Sequence, residues 1–266
     1  MESFDKAVVI LGIGPKPTAN MTGELAQFVA SAIEKTVGTG ILFAYKEHLW
    51  ILSCRHVIEN TLPGETDTYK AIIKLLATDG EVEKLTIVLN QSSLRYHPFD
   101  TKDESYDLAI FWVGLQKNIN QPITPIQFTP NYTFLPLVPD MDLQAFGYPV
   151  NSLSLDIVHN VDSLLPLTSV TAKFLDGPST GKQPINHSKR QLSTYTAETN
   201  SASDLSGMSG GLVVAKKETQ FYPIGMLTGS GTGRVIDNRD GKERNVSFIT
   251  FAHLSSLLHA LSKLVT

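Results

Sequence analysis

Three side chains of this sequence are of the types that hydrolyse carbonyl compounds by nucleophilic catalysis, and they occur in the order His56, Asp107, Ser209. In that chemistry a serine hydroxyl attacks the carbonyl carbon while a histidine takes up its proton, and a carboxylate holds the histidine in one tautomer. Each of the three residue types is common in proteins. The local patterns around them therefore decide how they are interpreted.

Ser209 lies within Gly207-Met-Ser-Gly-Gly211, which is followed by the strand-like run Leu-Val-Val-Ala. Glycines on both sides of a serine allow a tight backbone with unusual dihedral angles. Such a turn can aim the N–H groups of Gly207 and Ser209 at one point and form an oxyanion hole, where each donor stabilises the transition state by about 2.7–4 kcal/mol. An ordinary Gly/Ser turn between two strands would use the same residues, so this pattern alone leaves both interpretations open.

His56 directly follows an apolar, strand-like run at residues 49–52, and Asp107 directly precedes another at 108–113. A carboxylate at the entrance of a buried strand needs a partner, and an imidazole N–H would supply one. A structural histidine and an aspartate bonded to turn amides are the alternatives. Asp100 and Asp103 are rival acids, but both lie in a polar loop that would not orient them rigidly.

The other histidines and the acids form no recognisable metal-binding pattern. The sequence has no His-Glu-x-x-His motif, and its one cysteine, Cys54, cannot support a thiolate zinc site. We therefore predict neither a metal nor a cofactor. A single cysteine also excludes an intramolecular disulfide, which favours a reducing compartment such as the cytoplasm.

The elements that would position these residues are mostly short strands. Residues 22–36 predict a helix, with Leu25, Phe28, Val29 and Ile33 on one face. Residues 40–45 and 49–53 predict a hairpin. Further strand-like runs lie at 71–77, 85–89, 108–113, 143–146, 157–159, 169–172, 212–215, 224–227 and 247–251, and helical spacing of leucines marks 253–264. Many short strands separated by turn residues indicate an all-β barrel or sandwich.

Composition limits the classes of function. The 266 residues carry a net charge of −4, which argues against a general nucleic-acid binder. No apolar run is long enough to span a membrane, and the short run at residues 7–11 lacks the flanks of a secretory signal. Five prolines between residues 116 and 139 predict the crossing between two halves of the chain.

Several motifs, in this order, resemble the trypsin-like peptidase family: Gly38-Thr-Gly-Ile-Leu-Phe43, Trp50-Ile-Leu-Ser-Cys-Arg-His56, Asp107-Leu-Ala, Gly207-Met-Ser-Gly-Gly211 and Ile224-Gly-Met-Leu-Thr-Gly229. The order His, Asp, Ser is that of the chymotrypsin triad. The lack of disulfides is most similar to bacterial, HtrA-like members. The resemblance implies two six-stranded antiparallel barrels and a serine endopeptidase that acts on proteins or peptides through an acyl-enzyme. A regulatory partner protein stays open.

The resemblance also implies a division of the chain. Residues 1–37 would be an N-terminal extension with a helix, 38–120 a first barrel with His56 and Asp107, 121–139 a linker, and 140–266 a second barrel with Ser209 and a terminal helix. Met208 replaces the acid that pairs with a newly cut N-terminus in digestive members, so we expect no activation by cleavage.

The specificity pocket is placed by the same resemblance. Its floor would lie near Ser203, and Thr228, Gly229 and Ser230 would form one wall. A neutral Ser203 favours a small or apolar substrate side chain. Asp204 stands one position further on, and an acid in the pocket would instead favour arginine or lysine.

Two other functions remain to be weighed. Gly-x-Ser-x-Gly also fits an α/β-hydrolase esterase, but that turn should lead into a helix, with an acid such as Asp237 or Asp240 and then His253 following it. The preceding sequence lacks the alternating helices of a parallel sheet. A non-catalytic barrel that binds peptides or a partner is the second alternative, which the presence of all three triad candidates disfavours.

Overall fold

The structure of the chain, a computed structural model, consists of two β-sheets with few helices. It describes residues 4–75, 84–96, 107–116, 123–149, 167–176, 194–200, 205–236, 243–255, 258 and 261. The mostly β fold that the sequence predicts is confirmed. The predicted strand at 157–159 and the rival acids Asp100 and Asp103 lie outside the described residues.

The first sheet is built around a hairpin and has the strand order β5-β4-β1-β2-β3-β7-β6, with β8 pairing in parallel to β2. Among the described residues it therefore has eight strands, where the family resemblance implies six. Its strands are β1 (Val8–Pro15), β2 (Lys35–Tyr45), β3 (His48–Ser53), β4 (Asp67–Lys74), β5 (Lys84–Leu89), β6 (Leu94–Tyr96), β7 (Ala109–Leu115) and β8 (Ile126–Phe128).

Strand β1 shows why the N-terminal residues belong to this sheet. It pairs with β2 on one side and with β4 on the other, and its residues 8–14 are all buried. A continuous apolar run is typical of a strand that is covered on both faces. The segment assigned to an N-terminal extension thus supplies a central strand of the sheet.

The second sheet is a closed barrel of six antiparallel strands, as predicted, in the order β10-β11-β14-β13-β12-β9. Apolar side chains of every strand fill its interior, together with Met208 from the turn before β12. The strands are β9 (Asp142–Gly147), β10 (Thr168–Asp176), β11 (Thr194–Thr199), β12 (Leu212–Lys217), β13 (Gln220–Ile236) and β14 (Glu243–His253).

Two α-helices lie between strands of the first sheet in the described part of the chain. Helix α1 spans Gly23–Ser31 and ends earlier than predicted, because Ala32 adopts an extended backbone and the chain enters β2 at Lys35. Helix α2 spans only Arg55–Glu59 and was not predicted. After β14, residues 254, 255, 258 and 261 are helical, in agreement with the terminal helix. No described helix has the length and hydrophobicity to cross a membrane.

The two sheets share a hydrophobic core where they meet. One continuous cluster contains side chains of β1, β2, β3 and β7 together with Leu212, Met226 and Leu254 from the second half. Tyr148, just after β9, is 1% exposed and belongs to the same cluster. Burial of apolar area across this boundary, at about 25 cal/mol per Å², holds the two halves against each other.

Candidate active site

His56 and Asp107 are brought together by the pairing of β3 with β7. Ser53 lies opposite Ala109 in that ladder, so helix α2, which begins two residues after Ser53, faces Asp107, which lies two residues before β7. His56 Nδ1 lies 2.6 Å from Asp107 Oδ2, and the backbone N–H of His56 donates to Asp107 Oδ1 at 2.9 Å. With Nδ1–H donating to the carboxylate, Nε2 is the ring nitrogen that can accept a proton.

The exposure of this pair suits a proton acceptor with a fixed partner. The side chain of His56 is 35% exposed, whereas that of Asp107 is 16% exposed. The carboxylate is thus largely covered by protein while the imidazole reaches solvent. Because both carboxylate oxygens accept bonds from one residue, the imidazole ring has little freedom to rotate away.

Ser209 stands in a tight turn between residues 205 and 211. Met208 N–H donates to Leu205 O at 3.0 Å, and Gly211 N–H donates to Met208 O at 2.9 Å. Gly207 has φ 87° and Gly210 has φ 89°, both in the left-handed region that favours glycine. A Cβ on Gly210 would lie 2.1 Å from Thr39 O and 2.6 Å from Ser53 Oγ, so the turn can approach the first sheet only without a side chain there.

The amides of this turn fall into two groups. Those of Met208, Gly210 and Gly211 donate to backbone carbonyls, and Met208 itself is fully buried in the barrel interior. Within the described part of the chain, the N–H groups of Gly207 and Ser209 donate to no backbone carbonyl. Gly207 and Ser209 are both half-buried.

Strand β13 connects the serine turn to the first sheet. Gly210 N–H donates to Leu227 O at 2.8 Å, and Leu227 N–H donates to Gly211 O at 2.7 Å. The thiol of Cys54, two residues before His56, donates to the same Leu227 carbonyl at 3.3 Å. The turn that carries Ser209 therefore abuts the end of β3, from which His56 emerges.

Cys54 is fully buried beside the histidine–aspartate pair. Burial raises the pKa of its thiol well above the ordinary value, and the negative charge of Asp107 raises it further. Among the described residues, Cys54, His56 and Asp107 form the one group of potential metal ligands, with ligand atoms within 4.8 Å of one another. A thiol that stays protonated is a poor ligand, and His56 and Asp107 already bind each other, so this group does not fit a resident metal ion.

The predicted wall of the specificity pocket, Thr228, Gly229 and Ser230, lies on β13 directly after Leu227. Thr228 Oγ1 donates to Thr250 Oγ1 at 3.1 Å. The pairing of β12 with β13 ends at Leu212 and Met226, so from Gly229 onward β13 pairs only with β14 among the described strands. Ser203 and Asp204, the predicted floor, lie outside the described residues.

Phe248 covers the glycines on one face of this part of β13. A Cβ on Gly231 would lie 3.0 Å from the Phe248 ring, and one on Gly233 would lie 3.1 Å from it. Gly231 is also the direct cross-strand partner of Phe248. Ile249 and Phe251 point into the barrel, so by strand alternation Phe248 lies on the opposite, outer face.

The residues of the esterase alternative are arranged differently. The chain after Ser209 enters strand β12, whereas the α/β-hydrolase turn requires a helix. His253 packs between the rings of Phe134 and Tyr195, at centroid distances of 5.1 and 5.4 Å. Burial lowers its pKa to about 4. Asp237 and Asp240 lie outside the described residues.

Sequence reasoning missed Thr39, whose backbone and side chain contact the serine turn. Its hydroxyl donates to Gly207 O at 3.1 Å and its N–H donates to Ser209 O at 3.4 Å. The motif Gly38-Thr-Gly40 was noted only as part of the family pattern. A lone polar residue that enters a buried apolar strand is the signal that could have identified it, because such a group needs hydrogen-bond partners.

A family model described as a trypsin-like peptidase domain matches residues 38–224. No curated protein matches the sequence. Among solved structures, kallikrein-related peptidase 10 is 14% identical, with a TM-score of 0.49, over 98% of this chain and 95% of that one. An inactive serine-to-alanine mutant of Rv3671c from M. tuberculosis H37Rv is 14% identical, with a TM-score of 0.48, over 98% of this chain and 87% of that one. Because the family model spans more than half of the 266 residues, the chain belongs to the trypsin-like peptidase family.

Proposed function

We propose that this protein is a serine endopeptidase with Ser209 as nucleophile, His56 as general base and Asp107 as the residue that orients the base. The observation that carries the proposal is the double hydrogen bond between His56 and Asp107, at 2.6 and 2.9 Å. It fixes the tautomer in which Nε2 can accept the serine proton. Family membership supports the same chemistry.

The mechanism has two halves of the same kind. Ser209 Oγ attacks the peptide carbonyl carbon, its proton moves to His56 Nε2, and Asp107 stabilises the imidazolium. The C–N bond of the tetrahedral intermediate then breaks, and the proton passes from His56 to the departing amine. A water molecule next attacks the acyl-enzyme, again giving its proton to His56, which returns it to Ser209 Oγ as the carboxylic acid leaves.

The N–H groups of Gly207 and Ser209 would bind the oxyanion in both halves. Their lack of backbone acceptors within the described chain supports this role, since both donors remain available. Donors that are fixed before the reaction cost no reorganisation when negative charge develops on the carbonyl oxygen. The glycine conformation at residue 207, with φ 87°, is part of that arrangement.

The strand edge beside the serine supports a peptide substrate over a simple ester. From Gly229 onward, β13 has a neighbour on only one side among the described strands. An extended peptide can pair with such an edge through its main chain, while its side chains enter adjacent space. The Phe248 ring over Gly231 and Gly233, with the hydroxyls of Thr228 and Thr250 nearby, favours a small, uncharged side chain next to the cleaved bond.

The burial of Met208 supports a site that needs no proteolytic activation. Its side chain is apolar and fully buried in the barrel interior, so it cannot form an ion pair with a newly cut N-terminus. Residues 8–15 are already committed to the centre of the first sheet. The N-terminal segment therefore has a structural place of its own.

A fluorophosphonate probe tests the proposal. We expect it to label the wild-type protein at Ser209, with labelling lost in Ser209→Ala and strongly reduced in His56→Ala. Ser206→Ala is the matched control, because Ser206 is an exposed serine of the same turn. Cleavage of a peptide library set against simple esters then separates a peptidase from an esterase. Folded protein that binds peptides but is never labelled would show a non-catalytic binding module instead.

A further inference from the structure

Thr39 is a fully buried polar residue at the junction of the two sheets, and all of its polar groups are engaged. Its hydroxyl oxygen accepts a hydrogen bond from Tyr148 N–H at 2.9 Å and donates to Gly207 O at 3.1 Å, which is nearer than the other acceptor within reach, Tyr148 O at 3.5 Å. Its carbonyl accepts from Ser53 Oγ at 2.8 Å, and its N–H donates to Ser209 O at 3.4 Å. One residue of β2 thus contacts both sides of the serine turn.

These contacts fall on the two residues that would supply the oxyanion donors. The Thr39 hydroxyl holds the carbonyl of Gly207, and the Thr39 N–H holds the carbonyl of Ser209. Each carbonyl shares a peptide plane with the N–H of the following residue, so fixing the two carbonyls limits the ψ rotation of Gly207 and Ser209 and thereby the backbone that carries their own N–H groups. Gly207 most needs that support, because a glycine at φ 87° can adopt many other conformations at little cost.

We propose that Thr39 is a positioning residue for the oxyanion hole: from the first sheet, it fixes the orientation of the Gly207 and Ser209 N–H groups on the second. The inference rests on the proposed peptidase function and deepens it. Thr39 does not touch substrate. It acts through the backbone of the serine turn.

The hydroxyl is essential to this role for a physical reason. Thr39→Val keeps the shape of the side chain but removes the hydroxyl that accepts from Tyr148 N–H and donates to Gly207 O. Such groups seek other bonds, and the Gly207 carbonyl can find one by turning, which redirects the backbone of the serine turn. Thr39→Ser retains the hydroxyl and therefore retains both bonds.

The experiment compares the steady-state kinetics of wild type, Thr39→Val and Thr39→Ser on a peptide substrate. We expect kcat of Thr39→Val to fall by about 10²-fold, the effect of losing one oxyanion donor, with KM little changed. Thr39→Ser should recover most of the loss. A peptide aldehyde, whose adduct carries an oxyanion, should also bind Thr39→Val more weakly, whereas a non-cleaved product peptide should bind it as well as it binds wild type.

Thr68→Val is the matched control. Thr68 is also a buried threonine of the first sheet, and its hydroxyl donates to a backbone carbonyl, Leu89 O, at 3.1 Å. Its loss should lower the melting temperature without lowering kcat. If Thr39→Val kept wild-type kcat, or if Thr39→Ser failed to recover it while folding normally, the proposal would be overturned.

Two further outcomes are distinguished by the same proteins. If Thr39→Val does not fold, the comparison of Thr39→Ser with Thr39→Ala decides the question on the same readouts. If wild-type protein is neither labelled at Ser209 by a fluorophosphonate nor active on peptides, the proposed function itself fails. A wild type that is labelled and active, with no kinetic effect at Thr39, overturns only the positioning role.

Discussion

The first sheet and the barrel supply different kinds of groups to the candidate site. The first sheet supplies side chains: the imidazole of His56 and the carboxylate of Asp107, joined at 2.6 Å. The barrel supplies mainly backbone: the N–H groups of the serine turn and the edge of β13, with the side chain of Ser209 as the proposed nucleophile. The difference teaches that a closed barrel is suited to holding peptide groups in fixed positions, since each of its six strands pairs with two neighbours.

Two buried polar residues of the first sheet and one of the barrel follow the same division. In the first sheet, Lys70 and Thr39 bury their polar groups against backbone carbonyls from other elements. In the barrel, Thr250 bonds to Thr228 on the neighbouring strand. Side chains of the first sheet thus form hydrogen bonds to helix α1 and to the serine turn. The barrel is held mainly by its own strand pairing.

Asp107→Asn gives the strongest test of the side-chain contribution from the first sheet. The amide can no longer hold His56 with Nδ1–H facing it, so the ring favours the tautomer in which Nε2 carries the proton. We expect kcat to fall by about 10⁴-fold with little change in KM, measured on a peptide substrate. Asp142→Asn, which removes an exposed partner of Lys173, is the control. A loss below tenfold would argue that Asp107 does not orient the base.

Gly207→Ala tests the backbone contribution of the barrel. A Cβ at φ 87° strains the turn and shifts the N–H of residue 207, so we expect kcat to fall by about 10²- to 10³-fold. Gly23→Ala is the matched control, because Gly23 also has a positive φ, 61°, and nothing lies within 4 Å of its Cβ position. If both variants lost kcat equally, the effect would come from general destabilisation and not from the oxyanion hole.

Local patterns in the sequence predicted the parts of the site that depend on local backbone. Glycines around Ser209 predicted a tight turn, and the apolar runs at 40–45 and 49–53 predicted the hairpin from which His56 emerges. Helix α2 was not predicted, because five residues are too few to show a helical period. Two features depend on contacts between residues far apart in the chain, which a local pattern does not contain. They are the place of β1 in the sheet and the hydrogen bonds of Thr39 to the serine turn.

Lys70→Met tests the hydrogen bonds between the first sheet and helix α1, which lie away from the candidate catalytic residues. Lys70 Nζ donates to Val29 O at 2.5 Å and to Ala32 O at 2.6 Å, at the C-terminal end of helix α1. Burial lowers the pKa of Lys70, and the negative charges of Glu34 and Asp67 oppose that shift. Methionine leaves the two carbonyls without this donor, so we expect stability to fall by about 1–3 kcal/mol.

The melting temperature and amide hydrogen exchange measure this effect. Exchange should accelerate most in residues 23–31, and kcat should stay near the wild-type value. A large loss of kcat at unchanged stability would contradict the division between structural and catalytic contributions within the first sheet.

His253→Gln tests how a buried histidine of the barrel makes stability depend on pH, and it has the smallest expected effect. Burial lowers the pKa of His253 from 6.5 to about 4, so unfolded chains take up a proton at higher pH than folded ones do. The stability that His253 contributes is therefore full above pH 6.5 and is lost as the pH falls toward 4. We expect His253→Gln to lose less stability than wild type between pH 7.5 and 4.5, measured by urea unfolding. An equal loss in the two proteins would contradict this.

The division of the site between two sheets bears on how the protein is made. Strands β1, β2 and β4 all lie within residues 8–74, so the centre of the first sheet can form early during synthesis. The Ser209 turn and β13 follow more than 130 residues later, and the barrel closes only when β14 pairs with both β11 and β13. Under the proposed function, a nascent chain therefore gains hydrolytic activity only when the barrel is complete, and completion of the fold is itself the activating step.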